Sequence, residues 1–247
     1  MGGARHARRP EIAEMPALRG FFITFEGPEG SGKTTQAQRL AARLTRAGYE
    51  VIVTREPGGT PTGEVIRSIL LHKAAGEPLF PETEALLFAA SRAQLVRAVI
   101  QPALARGACV ICDRFLDSTM AYQGYGRRLD LARIDLLNEF AVDGVIPDLT
   151  LLLDLDIRTG FARLAFRNRR SNSAADSMER EDLEFHERTR QGYLELARKW
   201  PWRIHILNAE RNPDEVEAEI WRITETVLRQ SKAGPRQECE SESRPCD

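Results

Sequence analysis

A chain of 247 residues, 42% of them hydrophobic, is long enough to bury one sizeable core, and one α/β domain with insertions is the simplest reading. Thirty-five Lys and Arg against 36 Asp and Glu leave a formal net charge of -1, which excludes a global field that would gather nucleic acid or an anionic membrane, so any polyanion must be met locally. No apolar run reaches the roughly 18 residues of a bilayer span and the N-terminus lacks the apolar core of a signal peptide, so a cytoplasmic protein without nucleic-acid or membrane partners is expected.

In chain order, residues 1–19 carry Arg5, Arg8 and Arg9 but little apolar periodicity, and they read as a disordered extension, with Met15 an alternative start. The run "GFFITFEG" then reads as a strand and leads into Gly27, Pro28, Glu29, Gly30, Ser31, Gly32, Lys33 and Thr34, which match G-x-x-x-x-G-K-[ST]; a helical pattern from Lys33 to Ala47 follows. Strand, glycine-rich loop and helix form a phosphate cradle, because the glycines let backbone N–H groups converge on phosphate oxygens and the new helix adds the positive end of its dipole. Lys33 suits the β- and γ-phosphates of a nucleotide, and the Thr34 hydroxyl suits magnesium. Glu29 lies among groups meant for anions, where like charges repel, so it needs a compensating task.

The next strand is "YEVIVTREP", followed by a helix over Glu82 to Ala105 and the strand of "ACVICDRF". Cys109 and Cys112 form a C-x-x-C, but a strand turns residues three apart to opposite faces, so inert core thiols are favoured over a redox or zinc pair. Asp113 ends this strand and resembles a magnesium-holding carboxylate, while the adjacent Arg114 suits a forked phosphate clamp. "STMAYQG", from Ser118, reads by composition as a polar loop. A helix over Asp130 to Val142 and the strand "DLTLLLDLD" come next. Beyond them Arg163, Arg167 and Arg170 fall on one helical stripe with Arg169 beside it, a pattern that by charge alone reads as a solvated basic face. A helix over Arg180 to Lys199, the strand "WRIHILNA" and a helix over Pro213 to Gln230 complete the domain, and 231–247, with Cys239 and Cys246, has the composition of a disordered tail.

The five β-rich runs look too continuously apolar for one-sided strands and alternate with helices, which predicts a doubly wound parallel sheet covered on both faces. Its ligands belong at the carboxyl ends of the strands, where "EG", "REP", "DRF" and "DLD" fall.

From about Gly20 to Arg229 the chain resembles bacterial thymidylate kinases, P-loop nucleoside monophosphate kinases, carrying in order "FEGPEGSGKTTQ", "TREPGGT", "LLFAASRAQL", "DRFLDSTMAYQG", "PDLTLLLDLD" and "EDLEFHERTRQGYLELA". The resemblance implies a P-loop NTPase fold over residues 20–230, with a five-stranded parallel sheet flanked by helices and a mobile lid at about 163–180. It implies transfer of the γ-phosphoryl group of ATP, with Mg2+, to dTMP in dTTP biosynthesis by a homodimer. Phe88 and Arg92, four apart on a helix, share a face that suits a flat pyrimidine, and the family uses the matching positions that way. By the same resemblance Ser118 and Gln123 bind the polar edge of thymine, Tyr122 lies beside the sugar, Arg67 and Arg114 grip the acceptor phosphate, and Glu29 binds the deoxyribose 3′-hydroxyl. Arg55 and Glu56 close over the site.

Relatives without an arginine in the phosphate loop take a catalytic one from the lid, and "GPEGSGK" has none. Where the family usually reads D-R-[IM]-E this chain has Asp176, Ser177, Met178 and Glu179, which leaves Arg167, Arg169 and Arg170 as candidates, with Arg167 and Arg170 expected to share a side. Competing readings are a kinase for another nucleoside monophosphate or a deoxynucleoside, and a hydrolytic switch, which would need a guanine-selective N-K-x-D that the chain lacks.

Overall fold

The computed structural model describes residues 20–72, 74, 76–171 and 176–232. The expected N-terminal extension, the tail beyond Lys232 and the middle of the expected lid lie outside the described residues.

The sheet is built around β1 (Phe21–Glu26), all six residues of which are buried. With β2 (Val51–Arg55), β3 (Cys109–Asp113), β4 (Leu149–Asp154) and β5 (Ile204–Asn208) it forms a parallel sheet in the order β2-β3-β1-β4-β5. The alternation of β1 explains the two helical layers. Phe21, Ile23 and Phe25 pack with Leu40 and Leu44 of α1 (Lys33–Arg46) and Val216 and Ile220 of α9 (Pro213–Lys232), whereas Phe22 packs with Leu95 and Ile100 on the other face. α9 therefore takes in Ser231 and Lys232, two residues assigned to the tail. Cys109 and Cys112 sit in these two different clusters, as strand alternation requires, and burial pushes the Cys109 thiol up to about 12. The reading of "YEVIVTREP" and "WRIHILNA" as doubly covered strands is corrected: both are sheet edges, and Val53 and Ile206 are each 50% exposed.

The second layer contains α2 (Pro61–His72), α3 (Pro81–Leu95), which runs on through a π-helical turn over Val96–Ile100 into α4 (Gln101–Ala105), and α6 (Leu131–Val142). The wide turn falls just before Pro102, which has no N–H to continue the regular ladder. "STMAYQG" is not the polar loop that its composition suggested. α5 (Leu116–Thr119) continues into a π-helical turn over Met120–Gly126, because Met120, Ala121 and Tyr122 turn inward onto Phe185, Tyr193 and Leu196 of α8 (Leu183–Lys199). α8 begins at Leu183 rather than Arg180, since the Asp182 carboxylate accepts from the Phe185 N–H at 2.7 Å and fixes the first turn. α7 (Ile157–Ser171) leads from β4 into the lid region.

Candidate active site

The phosphate loop leaves the carboxyl end of β1, the central strand, where connections depart to both sides of the sheet. Two of its glycines are fixed by packing as well as conformation: a Cβ on Gly27 (φ 137°) would lie 2.3 Å from the Leu153 carbonyl oxygen, and one on Gly30 (φ 72°) 2.3 Å from that of Gly160. Gly32 has φ 91° and open space beyond it, so backbone conformation rather than packing constrains it. Lys33 crosses the loop, its Nζ donating to the carbonyls of Gly27 (3.0 Å) and Pro28 (2.8 Å) and to Ser31 Oγ (3.3 Å). Burial, helped by Arg114, lowers its pKa to about 8 against the opposing pull of Glu29. The Thr34 hydroxyl donates to Asp113, which brings the two expected magnesium ligands together across the ends of β1 and β3. Hard oxygen donors of this kind fit Mg2+, which usually takes one or two carboxylates and completes its shell with phosphates and water. No cluster of three or more His, Cys, Asp or Glu suited to a metal occurs among the described residues.

Arg114 holds the left-handed φ of 72°, rare for a residue with a side chain. The turn aims its guanidinium back over the loop, where Nη1 donates to the Gly27 carbonyl (3.2 Å) and to Tyr193 Oη (3.2 Å), and Nη2 pairs with Glu29. Glu29 also accepts from Tyr122 Oη at 2.8 Å. Burial alone would raise its carboxyl, but Arg114 and then Lys33 overcome that and hold it at about 2. The carboxylate in the loop is thus compensated by two cations and a hydroxyl.

Along the same cleft, of about 690 Å³, Phe88 and Gln123 form part of the wall with Arg67, whose Nη1 donates to the Pro57 carbonyl at 2.9 Å. The Gln123 amide donates to Glu84 at 2.8 Å, and Glu84 is held in turn by Arg127. Arg92 is the expected base-binding residue whose surroundings differ most from expectation. It is fully buried, and its guanidinium donates to Glu56, to Asn138 Oδ1 (2.6 Å) and to Thr119 Oγ1 (2.7 Å). These bonds use four of its five N–H groups and tie β2's exit to α3, α5 and α6, while Arg92 also lines the cleft beside Phe88. Arg92→Ala is therefore expected to destabilise the fold by about 3–5 kcal/mol, through a Glu56 carboxylate left buried without its partner, rather than to alter selectivity alone. Urea denaturation checks this, and an unchanged midpoint would contradict it. Glu56 belongs to this buried pair, while Arg55 pairs with Glu64.

The lid arginines divide. Arg163 and Arg167 reach the cleft wall, Arg163 donating to the Ala209 carbonyl at 3.0 Å and Arg167 pairing with Glu179 at 2.7 Å. Arg170 does not join them: its guanidinium lies 5.7 Å from the centre of the exposed Phe166 ring, and Arg169 turns back to the Ala165 carbonyl. Gly160 is the reason, because its backbone packs on the loop at Glu29 and Gly30 and so fixes which face of α7 looks inward. At 100° per residue Arg167 falls about 20° from the Gly160 direction and Arg170 about 80°. Beyond the undescribed residues, Ser177 Oγ donates to the Leu71 carbonyl at 3.1 Å. Sequence reasoning missed Glu26 and Tyr193, which lie beneath Arg114; two apolar-looking segments, "FITFEG" and "QGYLEL", conceal them.

A nucleotide-phosphate loop, a strand-end carboxylate beside it and further arginines lining the same cleft define a P-loop kinase of α/β fold. Residues 25–220 match the thymidylate kinase family, and the chain belongs to that family. Its similarity to thymidylate kinases covers more than four fifths of the chain. One from Deinococcus radiodurans is 52% identical over 203 residues, 82% of this chain and 95% of that protein, and one from Thermomicrobium roseum is 48% identical, covering 87% and 99%. A crystal structure of thymidylate kinase from Ehrlichia chaffeensis, 38% identical, superposes with a TM-score of 0.67 over 83% of this chain and 99% of that one.

Proposed function

We propose that the protein transfers the γ-phosphoryl group of ATP to the phosphate of dTMP, giving dTDP and ADP. The observation that carries this reading is that one cleft is lined by the Lys33 loop, by Arg114 and Arg67, and by Phe88 and Gln123. A donor phosphate chain on the loop then faces an acceptor phosphate on the arginines, with a flat base beyond. Lys33 exchanges loop carbonyls for the β- and γ-phosphates, and Arg114 exchanges Glu29 for the acceptor phosphate, leaving Glu29 to accept from the sugar 3′-hydroxyl and Tyr122 to lie against the sugar. Ser118 and Gln123 orient the base edge and Phe88 stacks on its face. The acceptor is already an anion, so catalysis is alignment of an in-line transfer and cancellation of charge, with no general base required. Thr34 and Asp113 would hold Mg2+, which would supply charge neutralisation at the donor phosphates. Arg167 leaves Glu179 for the transferring group.

Phosphorus-31 NMR of a reaction with ATP and dTMP tests the reading: β-phosphate signal from dTDP is expected, and inorganic phosphate in its place would indicate a hydrolytic switch. A homodimer is supported by exposed apolar side chains on α3 and α6, Leu86 (58%), Leu136 (65%) and Phe140 (86%), which a second copy would cover. Phe140→Glu is expected to convert a dimer to a monomer in sedimentation velocity; an unchanged sedimentation coefficient contradicts this surface. With these substrates the enzyme works on the cytoplasmic nucleotide pool.

A further inference from the structure

Beneath Arg114 lies a buried carboxylate that the reaction as described does not use. Glu26, the last residue of β1, is wholly inaccessible. Its Oε1 accepts the Phe115 N–H at 2.8 Å, while Oε2 accepts from Ser118 Oγ at 2.6 Å and Tyr193 Oη at 2.9 Å. Those same two hydroxyl oxygens stand 3.4 and 3.2 Å from Arg114 Nη1, which donates to both, and 2.8 Å from each other. The donors thus run one way along two arms, from guanidinium to Ser118 to Glu26 and from guanidinium to Tyr193 to Glu26. Only an ionised carboxylate supports both arms, because it accepts and never donates. A proton on Oε2 must be given to one of the hydroxyls, which then turns its own hydrogen outward and no longer offers Arg114 the same lone pair.

We propose that Glu26 is the positioning residue for Arg114, fixing through Ser118 and Tyr193 where the guanidinium stands to meet the acceptor phosphate, and that protonation of Glu26 releases this hold. The inference rests on the assignment of Arg114 to the acceptor phosphate made above. The charged and titratable groups that face Glu26 come from every element around it: Asp117 on α5, Arg114 after β3, Cys112 on β3, Lys33 on α1, Tyr193 on α8 and Arg203 before β5. Asp117 is itself neutralised by Arg203 at 2.7 Å. Burial first, and then Asp117, push the Glu26 carboxyl up to about 7, against the pull of Ser118 and Arg114. The switch therefore falls near neutral pH: ionised and holding Arg114 above it, protonated and loose below it.

The test compares pH profiles of kcat/KM for dTMP and for MgATP in the wild type, Glu26→Gln, Tyr193→Phe and Arg114→Ala. Glu26→Gln keeps an acceptor oxygen but cannot ionise. It is expected to lower kcat/KM for dTMP at pH 8 by about tenfold, leave the KM for MgATP unchanged, and remove from the acid limb the ionisation that the wild type shows beyond that of the nucleotide phosphate itself. Tyr193→Phe, which removes one arm without changing shape, is expected to lower the same parameter a few fold and to add little on top of Glu26→Gln. A folded Glu26→Gln enzyme with the wild-type profile overturns the proposal. If Glu26→Gln does not fold, Tyr193→Phe decides: unchanged kinetics for dTMP overturn the proposal, and a selective loss for dTMP supports it. Arg114→Ala separates the two layers, since normal use of dTMP in that variant removes the assignment of Arg114 itself, whereas a defect there beside a wild-type profile in Glu26→Gln removes only the positioning role.

Discussion

Lys33→Ala is expected to lower phosphoryl transfer by about 10³-fold or more while the protein stays folded. The amine is the one cation of the loop itself, and without nucleotide it bridges the carbonyls of Gly27 and Pro28, which marks the volume where phosphate oxygens replace them. Folding does not depend on it, because burying the charged amine is a cost. Its folded pKa of about 8 lies below the ordinary 10.5, so the unfolded chain binds the proton more tightly between those values, and wild-type stability rises as pH climbs through that window. At pH 7 the variant should melt no lower than the wild type by more than a few degrees, and the wild type should gain on it between pH 8 and 10. Scanning calorimetry at the two ends of the window, beside a turnover assay, separates the catalytic loss from any folding defect. Near-normal turnover would remove the phosphate-loop mechanism.

Arg167→Ala is expected to reduce kcat by about 10³-fold with little change in the KM for dTMP, the sign of a contact made mainly in the transition state. The phosphate loop supplies no arginine, and Arg167 is the lid arginine that both reaches the cleft and is held by a group it can leave, the carboxylate of Glu179. Arg167→Lys should recover only part of the loss, since an ammonium lacks the planar fork. Arg170→Ala and Arg169→Ala should stay within a few fold of wild type, because one guanidinium stacks near Phe166 and the other turns to its own helix. A large kcat defect in Arg170→Ala with a normal Arg167→Ala would reverse the assignment and require α7 to rotate on closing.

What was legible in the sequence is what is local. The phosphate loop depends on eight consecutive residues, and strand alternation separated Cys109 from Cys112 correctly. The buried partners of Arg92 were not legible, because Glu56, Asn138 and Thr119 lie 36, 46 and 27 positions away and no spacing within α3 hints at them. For the lid, helical periodicity put Arg167 and Arg170 near one side but could not say which direction was inward; the contact of Gly160 with the loop decides that. "STMAYQG" looked polar because Ser, Thr, Gln and Gly outnumber its apolar letters, yet Met120 and Tyr122 face α8, a helix some sixty residues further on. Glu26 stayed hidden because it lies in an apolar-looking strand and its partners Ser118 and Tyr193 are 92 and 167 positions away.

The central claim is that the cleft takes the thymine nucleotide dTMP as its acceptor. Measuring kcat/KM for ADP release with dTMP, dUMP, dCMP, AMP and GMP at fixed MgATP tests it most directly. With the base placed as proposed against Phe88 and Gln123, which line the cleft, dTMP should be the best acceptor, dUMP should follow, and dCMP and the purine nucleotides should be used far less well. A purine nucleotide or dCMP as the best acceptor would contradict the assignment of this wall to thymine.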